Sequence, residues 1–279
     1  MCFNTLLGQQ LNNLFKDNDL VDAHCFHQII ASHYGIDDET ILFNDTSLLE
    51  IAYNEPKGIY DGFVMDEAQD FSAERMMIID TLLKEKPFKY YFWDDHQNIN
   101  LNDTSIPDHL KPFILSINFR NTKKIFESIV KHVDKDLPLE AMGPLGRDIE
   151  LELPYPKGDT SSLLKRLQDK IHYLIHHEGL EPKDIAILSF KGKHNSCLTS
   201  IKTSVPVILF EDRMDSKAIK IDTVRRFKGL EASVVILVEL DDEKAMNDEK
   251  HFNDMCYVAF SRAVHHCIVF PVEGVKVKI

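Results

Sequence analysis

Two rhythms of apolar residues run along this chain. Short unbroken runs, rich in β-branched and aromatic residues, alternate with stretches in which apolar positions recur every three or four residues. That alternation predicts an α/β protein with parallel strands. The clearest runs are Gly62 to Met65, Tyr90 to Trp93, Asp184 to Phe190, Val205 to Phe210 and Val234 to Leu240. They do not alternate with polar residues, so each is expected to be a strand buried on both faces. Helical spacing is clearest over Leu6 to Phe15, Ala73 to Lys84, Thr122 to His132 and Ser161 to His176, with Asn121 and either Asp159 or Thr160 placed as N-caps of the last two. Lys135 to Asp159, with its repeated prolines and glycines, reads as an irregular connection. A boundary between two α/β halves falls near Pro107 to Pro112, giving expected domains over residues 1–110 and 111–279.

Length and composition agree with this division. At 279 residues the chain can bury two modest cores, and 44% hydrophobic with 28% charged residues is the balance of a globular protein. Charge narrows the partners. A formal net charge of −13 supplies no global basic field, so any nucleic-acid contact must be local. Without a long apolar run or a basic region leading into an apolar signal core, the sequence predicts a cytoplasmic chain with no membrane contact. The five cysteines show no paired metal-ligand spacing, and the His24, Cys25 and His27 group lacks a matching second half, so reduced thiols are expected.

The strongest local signal is Phe63-Val64-Met65 running into Asp66-Glu67-Ala68-Gln69-Asp70. Carboxylates at the carboxyl end of a parallel strand lie where ligands bind, and they suit a metal ion and an activated water. An acidic helix N-terminus is the plainer alternative. The run at Tyr90 leads similarly into Asp94-Asp95-His96-Gln97, where a glutamine amide can sense a phosphate or simply cap a loop. Arg120 and Arg262 each sit in an otherwise apolar element, which calls for an anionic partner, either a phosphoryl group or a structural carboxylate. Between them, Thr223 to Glu231 places Thr223, Arg225, Arg226 and Lys228 around Gly229, as a phosphate-contacting turn or a solvated basic one.

Taken in order, these segments resemble the motifs of the UvrD/Rep-like superfamily 1 helicases. Asp66 to Asp70 is similar to motif II, the segment ending at Gln97 to motif III, and Asn118-Phe119-Arg120 to motif IV. Thr223 to Glu231 looks like motif V and Tyr257 to Ala263 like motif VI, while Cys2-Phe3-Asn4 and Phe26-His27 look like motifs Ia and Ib. Trp93, Phe260 and Ser261 depart from the commoner glycine, leucine and threonine. The resemblance implies two RecA-like parallel-sheet lobes, the first incomplete, with ATP and Mg²⁺ between them and single-stranded DNA across the top. Asp66 would hold the metal, Glu67 act as base, and Gln97, Arg120 and Arg262 read the γ-phosphate. Gly229 and Glu231 would lie against the nucleotide, with Glu231 at its sugar. Asn4, Phe26, His27, Thr223 and Arg225 would meet the DNA strand. Spacings of 39 positions from His27 to Asp66 and 33 from Phe190 to Thr223 leave no room for large accessory insertions.

One expected part is missing. No Gly-x-x-x-x-Gly-Lys-Ser/Thr occurs in the sequence, so the backbone cradle and lysine that grip phosphates are not supplied. Weak or no ATP binding, and no hydrolysis by these residues alone, is the expectation. Loss of the strand before that loop should also expose an edge of the motif II strand, where a protein partner or a second copy would pair. Two functions stay open: a truncated or split helicase motor, and a non-catalytic module that keeps the fold to bind protein or single-stranded DNA. A nucleotide-regulated switch is a third.

Overall fold

The computed structural model describes residues 1–94, 97, 110–133 and 139–279, apart from the side chains of residues 244 and 245. The chain is a mixed α/β protein with parallel sheets, divided into two compact units, Met1–Phe113 and Ile114–Ile279.

In the first unit, α1 (Thr5–Phe15), α2 (Phe26–Tyr34), α3 (Glu39–Leu42) and α4 (Asp45–Asn54) precede β1 (Tyr60–Met65), α5 (Ala73–Asp80) and β2 (Leu83–Tyr91). β1 and β2 pair in parallel through the α5 crossover. The helices start where short polar side chains can accept backbone N–H groups. Asn4 takes those of Leu6 and Leu7 at 2.8 and 3.2 Å, and Ser72 takes that of Arg75 at 3.3 Å. Phe26, Ile30, Leu48, Met65, Phe71 and Ile78 form the core of this unit.

Here the strand expectations need correction. β2 begins at Leu83, where helix was expected as far as Lys84, and ends at Tyr91 rather than Trp93. Nor is the pair buried on both faces: Val64 is 48%, Phe88 51% and Tyr90 61% exposed. Register places Gly62 beside Phe88 and Val64 beside Tyr90, so these residues make one apolar, solvent-facing side. The open edge is also not that of β1. The Met1 ammonium donates to Val64 O at 2.8 Å and Asp66 N–H donates to Met1 O at 2.9 Å, so the N-terminal segment lies along the far side of β1. Among the described residues, the edge without a partner strand belongs to β2. Pro87 interrupts it, as befits an edge strand.

The second unit contains β3 (Ile117–Asn118), α6 (Lys123–Ile129), β4 (Glu140–Ala141), β5 (Glu150–Leu151), α7 (Thr160–His176), β6 (Ile185–Ser189), β7 (Val207–Leu209), β8 (Ile219–Thr223), β9 (Ala232–Val238), α8 (Glu243–Met246), α9 (Glu249–Ser261) and β10 (Ala263–Val269). Six strands form an all-parallel sheet in the order β5-β10-β9-β6-β8-β7, and β3 pairs with β4 separately. β6 is buried along its whole length and β9 nearly so, as unbroken apolar runs require. α7 lays Leu163, Leu167, Ile171 and Leu174 against the sheet at helical spacing. The connection before α7 is less irregular than expected, because it contributes β4 and β5; residues 134–138 lie outside the described set. Thr122 rather than Asn121 caps α6.

All five cysteines are free thiols, and burial pushes those of Cys2 and Cys197 up to about 12. No described helix is long and apolar enough to cross a membrane.

β8 carries charge into this core. Asp222 is fully buried, with Lys220 Nζ 3.1 Å from Oδ2 at an angle short of a hydrogen bond and Arg226 Nε 2.9 Å from Oδ1. Lys220, 3% exposed, also donates to Glu211 O, which ties the segment after β7 to β8. Removing Asp222 strands the Lys220 ammonium, whose side chain is 4% exposed, without its carboxylate. Asp222→Ala is expected to destabilise the chain by about 3–5 kcal/mol, measured by chemical denaturation; a loss below about 1 kcal/mol, the size of a surface pair, would show that the cluster is solvated.

Candidate functional site

In the first unit the carboxyl ends of β1 and β2 bring together the acidic segment and the glutamine expected to sense phosphate. Asp66 Oδ1 accepts the backbone N–H of Glu67 at 3.0 Å. Glu67 itself adopts a left-handed backbone, φ 55° and ψ 46°, costly for a residue with a Cβ. Gln69 locks this corner. Fully buried, it donates through Nε2 to Glu67 Oε2 at 2.6 Å and accepts the Asp94 N–H through Oε1 at 3.2 Å, so one amide joins the ends of both strands. Gln97 donates to Asp94 Oδ2 at 2.8 Å; its neighbours Asp95 and His96 lie outside the described residues. Among the described residues, no group of three or more histidines, cysteines and carboxylates could hold a metal ion. Asp66 could therefore contribute one ligand to a Mg²⁺ shell that takes the rest from phosphate and water.

The residues expected to meet DNA in this unit are built differently from one another. Asn4 is the N-cap of α1 and its side-chain oxygen is committed there. Phe26 is fully buried, its ring 6.0 Å from that of Phe71, so it belongs to the core and offers no face to a base. His27 is half-buried among Phe3, Phe26 and Phe43, with ring centroids at 5.3, 5.2 and 4.7 Å. Burial, and then the Arg75 guanidinium, holds its pKa down to about 4. A neutral imidazole suits stacking or a single hydrogen bond rather than phosphate pairing.

In the second unit, segments distant in sequence converge. Arg120 Nε lies 2.9 Å from Glu231 Oε2, joining the residue after β3 to the turn before β9. Asn121 Nδ2 donates to the carbonyls of Ser261 and Ala263 at 3.2 and 2.6 Å. Between those two residues stands Arg262, 1% exposed, which donates to Leu230 O at 3.2 Å, Val258 O at 3.1 Å and Ser261 Oγ at 2.8 Å. To reach a phosphoryl group its guanidinium must leave these acceptors. Thr223, 5% exposed, closes β8, and its Oγ1 accepts the Arg226 N–H at 3.2 Å. Gly229 has φ +80°, which explains a glycine there.

The basic turn is less available than its composition suggested. Arg226 is held by Asp222 and Asp212, Lys228 is buried, and Arg225 lies 3.0 Å from His251 Nε2. Of the residues weighed in this turn, Thr223 closes β8 with its hydroxyl on the Arg226 N–H, and Arg225 rests against His251. Nearby, Glu239 accepts Ser189 Oγ at 2.6 Å, Ser196 Oγ at 2.5 Å and the Cys197 N–H at 2.9 Å, fixing the loop after β6 to the end of β9.

Residues 218–270 match the UvrD-like helicase C-terminal domain. The matched span runs from the start of β8 to just past β10, and holds Thr223, Arg225, Gly229, Glu231 and Arg262. The match is a similarity over that span, well under half of the chain. Among solved structures, the C-terminal domain of a possible DNA helicase from Lactobacillus plantarum WCFS1 is similar at 18% identity and a TM-score of 0.38, over 57% of this chain and 89% of that one. No curated protein matches the chain.

Sequence reasoning missed Gln69, Asn121 and His251. Gln69 stands inside a quoted motif but beside the charged residues that drew attention, and Asn121, one position past Asn118-Phe119-Arg120, was expected only as a helix cap. His251 carries no local signal beyond its place on the buried face of α9.

Two outcomes follow. The Arg120–Glu231 pair is about half exposed on each side, so Arg120→Ala should change stability by less than about 1 kcal/mol; a thermal shift no larger than that leaves the pair free for a functional role, and a larger one makes it structural. His27 has its pKa lowered from 6.5 to about 4, so the unfolded chain binds more protons in that window. Its contribution is complete above pH 6.5 and is lost as pH falls toward 4. Thermal melts from pH 7 to pH 5 should therefore fall less steeply for His27→Gln than for the parent chain.

Proposed function

We propose that this chain is part of a UvrD/Rep-like superfamily 1 motor, whose residues surround a nucleotide and single-stranded DNA but do not hydrolyse ATP by themselves. One observation carries the reading: within the second unit, which contains the span similar to the UvrD-like helicase C-terminal domain, the segments of Arg120, Glu231 and Arg262 meet within hydrogen-bonding reach although they are far apart in sequence. Two cations and a carboxylate drawn together, from just after β3 and from the amino ends of β9 and β10, are the groups a phosphate-reading site needs. In the other unit, Asp66 and Glu67 stand ready for Mg²⁺ and water, with Gln97 beside Asp94. What is lacking in the sequence is the phosphate grip, and Arg262 is turned inward onto carbonyls.

Charge supports a second, narrower reading of how the chain is used. The unit Met1–Phe113 has 7 Lys and Arg against 20 Asp and Glu, while Ile114–Ile279 has 25 of each. The whole net charge of −13 therefore sits in the first unit. Phosphate backbone is repelled there, and so is a second copy of the same unit. The open β2 edge and its apolar side then suit a different polypeptide, neutral or basic, better than self-association.

The test is an ATPase assay on the purified chain with Mg²⁺ and a single-stranded oligonucleotide. No turnover is expected; turnover that depends on the DNA and is abolished by Glu67→Gln would overturn the proposal. In parallel, fluorescence anisotropy with a labelled oligothymidylate should show weak binding that is relieved by salt and reduced by Arg225→Ala. Binding that ignores Arg225 would place the nucleic acid elsewhere.

A further inference from the structure

Outside the helicase-related span, the last turn of α7 carries a side-chain pair that none of the roles above uses. His172 and His176 are four residues apart, which places both imidazoles on one face of the helix. Their ring centroids are 4.3 Å apart, and both side chains are exposed. Among the described residues, neither ring takes part in a hydrogen bond or ion pair. Their nitrogens thus retain the lone pairs that a metal ion needs.

We propose that His172 and His176 form a two-ligand site for a divalent transition ion, of the class Cu²⁺, Ni²⁺ or Zn²⁺. The geometry allows it. With their centroids 4.3 Å apart, the two rings are close enough for rotation about the side-chain bonds to bring one nitrogen of each to about 2.0–2.1 Å from a shared ion. The scaffold is a regular 17-residue helix anchored by Leu163, Leu167, Ile171 and Leu174, so little ordering is needed on binding. The site is also at the carboxyl end of that helix, where the dipole favours a cation.

Neighbouring groups define how far the site extends. Glu178 is held by Arg147 through two contacts of 2.8 and 3.0 Å, and the His177 ring stacks on Tyr173 at 5.3 Å. Glu178 is thus committed to Arg147, whereas the His177 ring also lies edge-on to His172 at 6.3 Å; Asp169, three residues before His172, is the nearby carboxylate on the same face. With two imidazoles and water completing the shell, imidazole preference and the usual order of divalent affinities rank Cu²⁺ first, then Ni²⁺ and Zn²⁺.

Isothermal titration of the intact chain with Ni²⁺, at neutral pH in a non-chelating buffer, tests the proposal. One ion per chain is expected, and linking two donors on one rigid face should strengthen binding by about a hundredfold over a single imidazole. His172→Ala and His176→Ala should each remove that gain, while His194→Ala leaves it intact. Because both rings are exposed, the metal-free variants should melt like the parent chain. In the parent only, Ni²⁺ should raise the melting temperature. Undiminished affinity in either alanine variant overturns the pair, as does loss of the site in His177→Ala but not in His176→Ala.

Discussion

A guanidinium taken out of water must be met by acceptors in several directions, and the second unit is arranged around meeting that demand at Arg262. Its donors reach Leu230 O, Val258 O and Ser261 Oγ, which fixes the end of α9 against the turn before β9. The Asn121 amide adds a clasp to the carbonyls on either side of Arg262. Once these contacts are set, Glu231 has its backbone position and Arg120 lies close enough to pair with it at 2.9 Å. Buried polar contacts of this kind are costly to leave half-made, so they specify one arrangement more sharply than apolar packing does. The exposed ion pair is then a consequence of the buried network rather than a cause.

Much of this was legible in the sequence, and the parts that were not have identifiable physical reasons. β6 and β9 are legible as buried strands because their apolar residues do not alternate with polar ones; Ser189 and Ser233 are their single polar positions. β8 was not singled out, since Lys220 and Asp222 look like solvent positions until each is seen to neutralise the other inside the sheet. β2 was misread at its start because Leu83-Lys84-Glu85-Lys86-Pro87 continues a helical pattern and contains a proline; an edge strand tolerates both charge and proline on its open side. At the site, residue types pointed to the right neighbourhoods but not to their burial. Phe26 is the clearest case: a core phenylalanine and a base-stacking phenylalanine are identical in sequence.

The acidic segment after β1 shows the same limit from the other side. Its carboxylates announce themselves, yet what holds them is Gln69, a neutral residue whose amide spans from Glu67 to the Asp94 backbone. An amide can donate to one group and accept from another without adding charge, which a lysine or a carboxylate in that place could not do. That choice matters in a unit already carrying all of the net negative charge. A further carboxylate there would be repelled, and a lysine would compete with an incoming cation for Asp66 and Glu67.

The left-handed backbone of Glu67 belongs to this argument. Holding a non-glycine residue at φ 55° costs of order 1–3 kcal/mol, and such strain persists only where surrounding contacts over-determine it. Here they do: the Glu67 N–H is taken by Asp66, its carboxylate is met by Gln69, and the Asp70 N–H donates to its carbonyl at 3.0 Å. A relaxed backbone would serve equally well if the segment were only an acidic start to a helical turn, because matching a helix dipole needs charge and not a particular direction. A strained one aims the Glu67 side chain. The same left-handed backbone recurs at Lys86, Phe210 and Glu239, so at Glu67 it fixes the direction of the side chain and does not by itself assign it a reaction.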